Sequence, residues 1–170
     1  MKVITWNVNG IRTRIFNRNT CAQNSKKLEI LTEDGSPVYN FIKNNDPDFL
    51  CFQETRCSII NGQKFKIPGY NSVFNQSENT QAREANRYSG TCIFYKDIYK
   101  PVAVEYQIPG YTDNEGRIII MHFDNFTIIN VYTPNSGTNL DNRLDWQIAM
   151  FHYLKSLQFP VIFTGDMNVA

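Results

Sequence analysis

Pro160-Val161-Ile162-Phe163-Thr164-Gly165-Asp166-Met167-Asn168-Val169-Ala170 decides how the rest of the chain is read. Val161 to Thr164 is an apolar run rich in β-branched and aromatic residues, opened by a proline that cannot continue a helix. It therefore reads as a strand over 160–165. Gly165 lets backbone approach closely. Asp166 and Asn168 follow at the carboxyl end of the strand, where a sheet presents polar groups to a ligand.

Seven more runs read as strands on the same grounds: 2–8, 48–54, 70–75, 91–96, 102–107, 117–123 and 126–132. Asp124-Asn125 joins the last two, and these residue types tolerate the positive φ of a two-residue hairpin turn, so antiparallel neighbours are expected there. Leu144, Ile148, Phe151, Leu154 and Leu157 recur at helical spacing and predict an amphipathic helix with that stripe as its apolar face. Thr138 or Asn139 would cap it, and Pro160 would end it.

At 170 residues, 42% hydrophobic and 14% aromatic, the chain can bury a core of its own and reads as one soluble globular domain over 1–170. No apolar run approaches the roughly 18 residues of a membrane span, and Met1-Lys2 leads directly into a strand, leaving no room for a signal peptide. An intracellular protein without membrane contact is expected, with nucleus and cytoplasm not distinguished. Cys21, Cys51, Cys57 and Cys92 show neither a C-x-x-C pair nor a histidine at zinc-finger spacing, so reduced, structural thiols are expected. A net charge of +1 argues against nucleic-acid binding by bulk electrostatics but leaves room for a local basic rim. Two polar stretches, 13–36 and 76–87, read as surface loops. The arginines around the first, Arg12, Arg14 and Arg18, suit either phosphate contact or simple solvation.

The chemistry lies at strand ends. Trp6-Asn7-Val8-Asn9-Gly10, Gln53-Glu54-Thr55, Asn130-Val131-Tyr132-Thr133-Pro134-Asn135 and Asp166-Met167-Asn168 each end a run in carboxylate, amide or phenol groups. Such oxygens suit a hard cation such as Mg²⁺, which keeps several waters and takes one or two protein carboxylates. In a phosphate-handling site of this outline, Asp166 would accept a proton from the attacking water and orient it. Tyr132 and Asn135 would donate to phosphate oxygens.

These segments, with Phe52-Gln53-Glu54-Thr55-Arg56, Tyr88-Ser89-Gly90-Thr91 and Asn114-Glu115-Gly116-Arg117, resemble in order and spacing the exonuclease III type of apurinic/apyrimidinic endonuclease over the whole chain. The resemblance implies a four-layered α/β sandwich, two packed sheets flanked by helices, within the endonuclease/exonuclease/phosphatase superfamily. It implies cleavage of double-stranded DNA at abasic sites or 3′ ends with Mg²⁺, Mn²⁺ being a possible substitute, by a monomer. Carried over by position, Glu54 is the metal ligand with Asn9 beside it. Asp166 activates water, Asn168 holds the attacked phosphate, Asn7 joins the metal and phosphate shell, and Tyr132 with Asn135 braces the phosphate oxygens. Tyr88, following Arg87, resembles the loop that enters DNA near the lesion. Arg12 contacts the backbone.

The chain departs from that pattern at Asn9, where some members carry Asp, and at Arg56, where Lys is usual; a planar guanidinium does not replace an ammonium freely. The loop at 13–36 is longer than usual. The family pattern also continues past Gly165-Asp166-Met167-Asn168 to further strands and an Asp-His pair that this sequence does not contain. His122, within a strand, and His152, on the helix, are expected to be structural. The expectation is a fragment or truncated relative, incomplete at the C-terminus, with strand 160–165 as an exposed edge and weak or no activity. Another nuclease or phosphatase of the superfamily, or a non-catalytic DNA-binding relative, remains the alternative.

Overall fold

The computed structural model describes residues 1–11, 37–62, 66–78, 88–137 and 139–169. The elements run β1 (Val3–Asn7), α1 (Pro37–Asn45), β2 (Phe49–Gln53), α2 (Ile59–Gly62), β3 (Tyr70–Asn75), β4 (Thr91–Lys96), β5 (Ala103–Glu105), β6 (Ile118–His122), β7 (Thr127–Tyr132), α3 (Leu140–Ser156) and β8 (Val161–Asp166). Every run read as a strand forms one. The strands make two four-stranded mixed sheets, ordered β1-β2-β4-β3 and β5-β6-β7-β8.

Alternation along the strands builds three apolar layers, because successive side chains leave opposite faces of a sheet. Phe49 and Cys51 of β2 point between the sheets with Ile93 and Tyr95, meeting Ile119, Met121 and Ile128 of the second sheet. Leu50 and Phe52 point the other way, onto Val38 and Ile42 of α1. Ile118, Ile120, Ile129 and Val131 form the outer face of the second sheet and pack under Trp146, Ala149, Met150 and Tyr153 of α3. The order helix, sheet, sheet, helix is the expected four-layered sandwich. The β6–β7 hairpin pairs Ile118 with Val131 through to His122 with Thr127, and Phe123 N–H donates to Phe126 at 2.9 Å across the Asp124-Asn125 turn.

A buried amide pair bridges the apolar layer between the sheets. Gln53 Nε2 donates to Asn130 Oδ1 at 2.6 Å and to Thr5 Oγ1 at 2.9 Å, while Asn130 Nδ2 donates to the Phe52 and Cys92 carbonyls at 3.0 Å each. Gln53 and Asn130 are fully buried. Buried amides this well satisfied discriminate against slipped arrangements of the two sheets, since any shift strands a polar group.

The helix corrects one expectation. Asn139 caps it, its Oδ1 accepting from Asn142 N–H at 3.0 Å, whereas Thr138 lies outside the described residues. Its buried face, however, is Arg143, Trp146, Ala149, Met150 and Tyr153, and Leu144, Ile148 and Phe151 are 44%, 57% and 55% exposed. Only Leu154 and Leu157 of the expected stripe pack partly onto the sheet. Two stripes with helical spacing lie on opposite faces; the inward one lays Trp146, Ala149, Met150 and Tyr153 on the second sheet and brings Arg143 to backbone carbonyls of Pro134 and Met167.

β1 and β8 are each last in their sheets and lie against one another across the sandwich. All six residues of β8 are half-buried, as an edge strand requires. Cys51, Cys57 and Cys92 are buried and in no disulfide, as expected, and Cys21 lies outside the described residues. So do the stretch 13–36 and residues 79–87 of the stretch 76–87, both read as loops. Among the described residues no helix is long and apolar enough to cross a membrane.

Candidate active site

Parallel pairing brings the functional strand ends to one side of the sandwich. In the first sheet Asn7 of β1 sits opposite Gln53 of β2, so Glu54 follows immediately beside it. In the second, Tyr132 of β7 sits opposite Asp166 of β8. Asn7 then joins the sheets, its Nδ2 donating to Glu54 Oε1 at 2.9 Å and to Asp166 Oδ2 at 2.7 Å. Asn7 Oδ1 accepts from Asn9 N–H at 3.0 Å, which fixes the amide so that its donors face both carboxylates. Asn168 belongs to the same cluster: its N–H donates to Asp166 Oδ1 at 3.0 Å and its Nδ2 to the Thr133 carbonyl at 2.6 Å. The Tyr132 hydroxyl lies near enough to Glu54 and Asn168 to feel both.

The backbone at these positions is held in an uncommon conformation. Asn9, Glu54, Arg56 and Asn168 have φ of 45°, 51°, 48° and 46°, in the left-handed region that side chains other than Asn disfavour. Surrounding bonds enforce it: Gly10 N–H to the Glu54 carbonyl at 2.7 Å, Thr55 N–H to Gly90 at 3.0 Å, Arg56 N–H to Ser89 at 2.9 Å and Thr133 N–H to Asp166 at 2.9 Å. Gly165 permits the last turn, because with φ of 137° a Cβ there would lie 2.0 Å from the Val131 carbonyl oxygen.

Arg56 pairs with Glu54 Oε2 at 2.5 Å. Burial pushes the Glu54 carboxyl up, but hydrogen bonds from Asn7, Arg56 and Tyr132 outweigh it and hold the group below its ordinary value. Burial, with the Glu54 charge beside it, pushes the Tyr132 phenol up to about 12. Glu54 is therefore an anion and Tyr132 a neutral donor at neutral pH.

Among the described residues no cluster of three or more His, Cys, Asp and Glu side chains gathers anywhere. The site instead offers two carboxylates and amide oxygens, a set too hard and too sparse for zinc but suited to a divalent cation that retains most of its water. Glu54 and Asp166 share one amide donor, which places the two carboxylates side by side around Asn7.

Of the expected site residues, Asn7, Glu54, Tyr132, Asp166 and Asn168 come together. Asn9 sits in the adjoining turn with its side chain exposed, touching the cluster through its backbone. Asn135 is exposed in the loop after β7, where its Oδ1 accepts from Gly137 N–H at 2.7 Å. Tyr88 is 46% exposed beside Arg117. Arg12 and Arg87 lie outside the described residues. His122 bonds Thr127 and pairs with Glu105, and His152 lies exposed on α3 against Phe151, neither with a described contact to the cluster.

Two arginines without an expected role support the cluster. Arg143 of α3, 6% exposed, donates to the carbonyls of Pro134 at 2.7 Å, Met167 at 2.9 Å and Asn168 at 3.4 Å, clamping the turns after β7 and β8 together. A lone arginine among apolar helix positions was its only sequence signal. Arg117, 3% exposed, lies over the Tyr132 ring with Cζ 4.7 Å from its centroid.

The chain is 35% identical over 177 residues to an exodeoxyribonuclease of Bacillus subtilis (strain 168), spanning all of this chain and 59% of the relative. It is 32% identical over 179 residues to a DNA-(apurinic or apyrimidinic site) endonuclease of Dictyostelium discoideum, spanning all of this chain and 42% of that one. A solved AP endonuclease from Archaeoglobus fulgidus superposes with a TM-score of 0.68 at 27% identity, covering 98% of this chain and 57% of its own. The chain thus spans about half the length of these relatives. The family described as Endonuclease/Exonuclease/phosphatase matches residues 4–170. With two sheets whose strand ends gather Asn7, Glu54, Tyr132, Asp166 and Asn168, the chain belongs to the endonuclease/exonuclease/phosphatase family.

Proposed function

We propose that these residues form the centre of a divalent-metal-dependent DNA phosphodiesterase acting at abasic sites or 3′ ends of double-stranded DNA, as a monomer, with Mg²⁺ as the ordinary ion and Mn²⁺ as a substitute. The observation that carries the proposal is the shared Asn7 amide, which binds a carboxylate from each sheet at 2.9 and 2.7 Å. Such a pair, half-buried at the end of a sandwich beside the Asn7 amide and the Arg56 guanidinium, suits an anion that a cation must partly neutralise.

Glu54, with Asp166 adjacent, would hold the metal, whose chemistry is to withdraw charge from a phosphate oxygen and from the leaving 3′ oxygen. Asp166 takes the proton from a water aligned behind phosphorus, leaving Asn7 to fix the carboxylate's direction. As the water oxygen bonds to phosphorus, the bond from phosphorus to the 3′ oxygen breaks and its electron pair leaves with that oxygen. Tyr132, neutral because its phenol is pushed up to about 12, donates to a non-bridging oxygen, and Asn168 and Asn135 supply further donors. Tyr88, Arg87 and Arg12 would meet the DNA strand around the cut.

The test is Mg²⁺-dependent nicking of a duplex carrying a tetrahydrofuran abasic analogue. Glu54→Ala and Asp166→Asn should each cut the rate by at least about a hundredfold, the range for losing a metal ligand or general base. Wild-type rates in either variant would remove the assignment.

A further inference from the structure

Arg117 has more partners than a structural ion pair needs. Its Nε and one terminal nitrogen meet Glu115 Oε2 at 2.6 Å. The remaining donors go elsewhere: one to the Tyr132 carbonyl at 3.0 Å, another to the Tyr88 hydroxyl at 3.2 Å. The guanidinium carbon sits 4.7 Å from the Tyr132 ring centroid and 5.8 Å from that of Tyr88. One buried cation is thus stacked against two phenols, one inside the cluster and one at the surface.

The segment that carries Arg117 is built to aim it. Asp113 accepts from Glu115 N–H at 2.9 Å and Arg117 N–H at 2.5 Å, and Gln107 brackets Asp113 through bonds of 2.6 and 2.8 Å to its backbone. Gly116 has φ of 67°, and a Cβ there would lie 2.5 Å from the Gln76 backbone. Thr91 Oγ1 donates to the Gly116 carbonyl at 2.9 Å. Strand pairing does not require the side chain, since Tyr132 N–H reaches the Arg117 carbonyl at 2.8 Å through backbone alone.

Resting on the nuclease reading above, we propose that Arg117 is a positioning residue: it holds the Tyr132 ring by face and backbone so that its hydroxyl points at the reacting phosphate, and links it to Tyr88. The planar fork serves this task and an ammonium does not, because stacking and the bond to the Tyr132 carbonyl must be made together. DNA resting on the half-exposed Tyr88 then acts on the ring that contacts the phosphate through one rigid group.

The test compares the wild-type protein with Arg117→Lys and Arg117→Gln, using tyrosine labelled with ¹³C in the ring. Tyr132→Phe identifies the Tyr132 signal, and steady-state nicking of the abasic-analogue duplex is measured in parallel. Arg117→Lys keeps the charge and the Glu115 partner, so it guards against loss of folding. It should shift the Tyr132 ring signals, speed the ring's flipping and lower kcat by about tenfold or more with KM within about threefold, as expected for a misplaced group. Unchanged Tyr132 signals, or kcat within about twofold of wild type, would overturn the proposal. If the wild-type protein nicks no abasic duplex, the nuclease reading fails and the positioning role for this reaction falls with it; the ring signals still report separately whether Arg117 holds Tyr132.

Discussion

Replacing Asn130 with leucine separates a geometric role of the inter-sheet amides from mere space filling. The side chains share a branched shape and leucine is the bulkier, so no cavity opens and the loss is that of the hydrogen bonds plus some overpacking. Three bonds go: those to the Phe52 and Cys92 carbonyls, both 3.0 Å, and the 2.6 Å bond from Gln53. Gln53 is not orphaned, because Thr5 Oγ1 and the Cys51 carbonyl still accept from it at 2.9 and 3.2 Å. At about 1–3 kcal/mol for each buried polar group left short of a partner, and with the carbonyls keeping a second lone pair, the net loss should be about 2–3 kcal/mol. The double variant Gln53→Leu with Asn130→Leu should cost less than the two singles summed, by about 0.5–3 kcal/mol, since both ends of the bridge vanish together. Urea unfolding followed by tryptophan fluorescence reads this, with Trp6 packed in the α1 layer and Trp146 in the α3 layer. Mn²⁺ affinity measured by calorimetry reads the distance between Glu54 and Asp166. If Asn130→Leu is as stable as wild type and binds Mn²⁺ equally well, the bridge does not set the sheet register and the reasoning is wrong.

Gly165→Ala should destabilise by more than about 3 kcal/mol, because a strained φ is compounded by a 2.0 Å overlap with the Val131 carbonyl; thermal unfolding checks it. Arg143→Met should cost about 2–4 kcal/mol by leaving the Pro134 and Met167 carbonyls without their donor, and hydrogen exchange at Asn168 should quicken most. Arg56→Met should tighten Mn²⁺ binding, since the guanidinium at 2.5 Å competes for the same Glu54 oxygen, and weaker binding would refute that competition. Glu54's folded pKa is depressed, so the stability it contributes is present above its ordinary 4.5 and is lost as pH falls through the lowered folded value. Arg56→Met should move that loss to higher pH, as acid unfolding profiles of the two proteins would show.

The eight strands were legible because β-branched and aromatic runs bounded by turn residues leave few other readings, and Asp124-Asn125 named its own hairpin. The rotation of α3 was not legible. Leu144, Ile148 and Phe151 recur at helical spacing, and so do Arg143, Trp146, Met150 and Tyr153; the choice between the stripes rests on partners supplied from far away in sequence, the second sheet under Trp146, Met150 and Tyr153 and the carbonyls at Pro134, Met167 and Asn168. Glu54, Tyr132, Asp166 and Asn168 could be found because strands deliver their ends to a common side. The bridging part played by Asn7 depends on how one sheet sits over the other, a property of Gln53 and Asn130 that no spacing along the chain records. Arg117 stood within a recognised segment, yet its partners Tyr88 and Tyr132 come from elements far away in sequence.

The left-handed turns at Glu54, Arg56 and Asn168 have an evolutionary consequence. Glu54 and Arg56 each hold a side chain where glycine would sit more comfortably, at a cost of about 1 kcal/mol or more, whereas asparagine at 168 tolerates the conformation. A library selected only for surviving heat would therefore enrich glycine at 54 and 56 and discard the carboxylate and its guanidinium partner together. Thermal hardiness and chemical competence pull against each other at these few residues, and only continued demand for the reaction keeps them as they are.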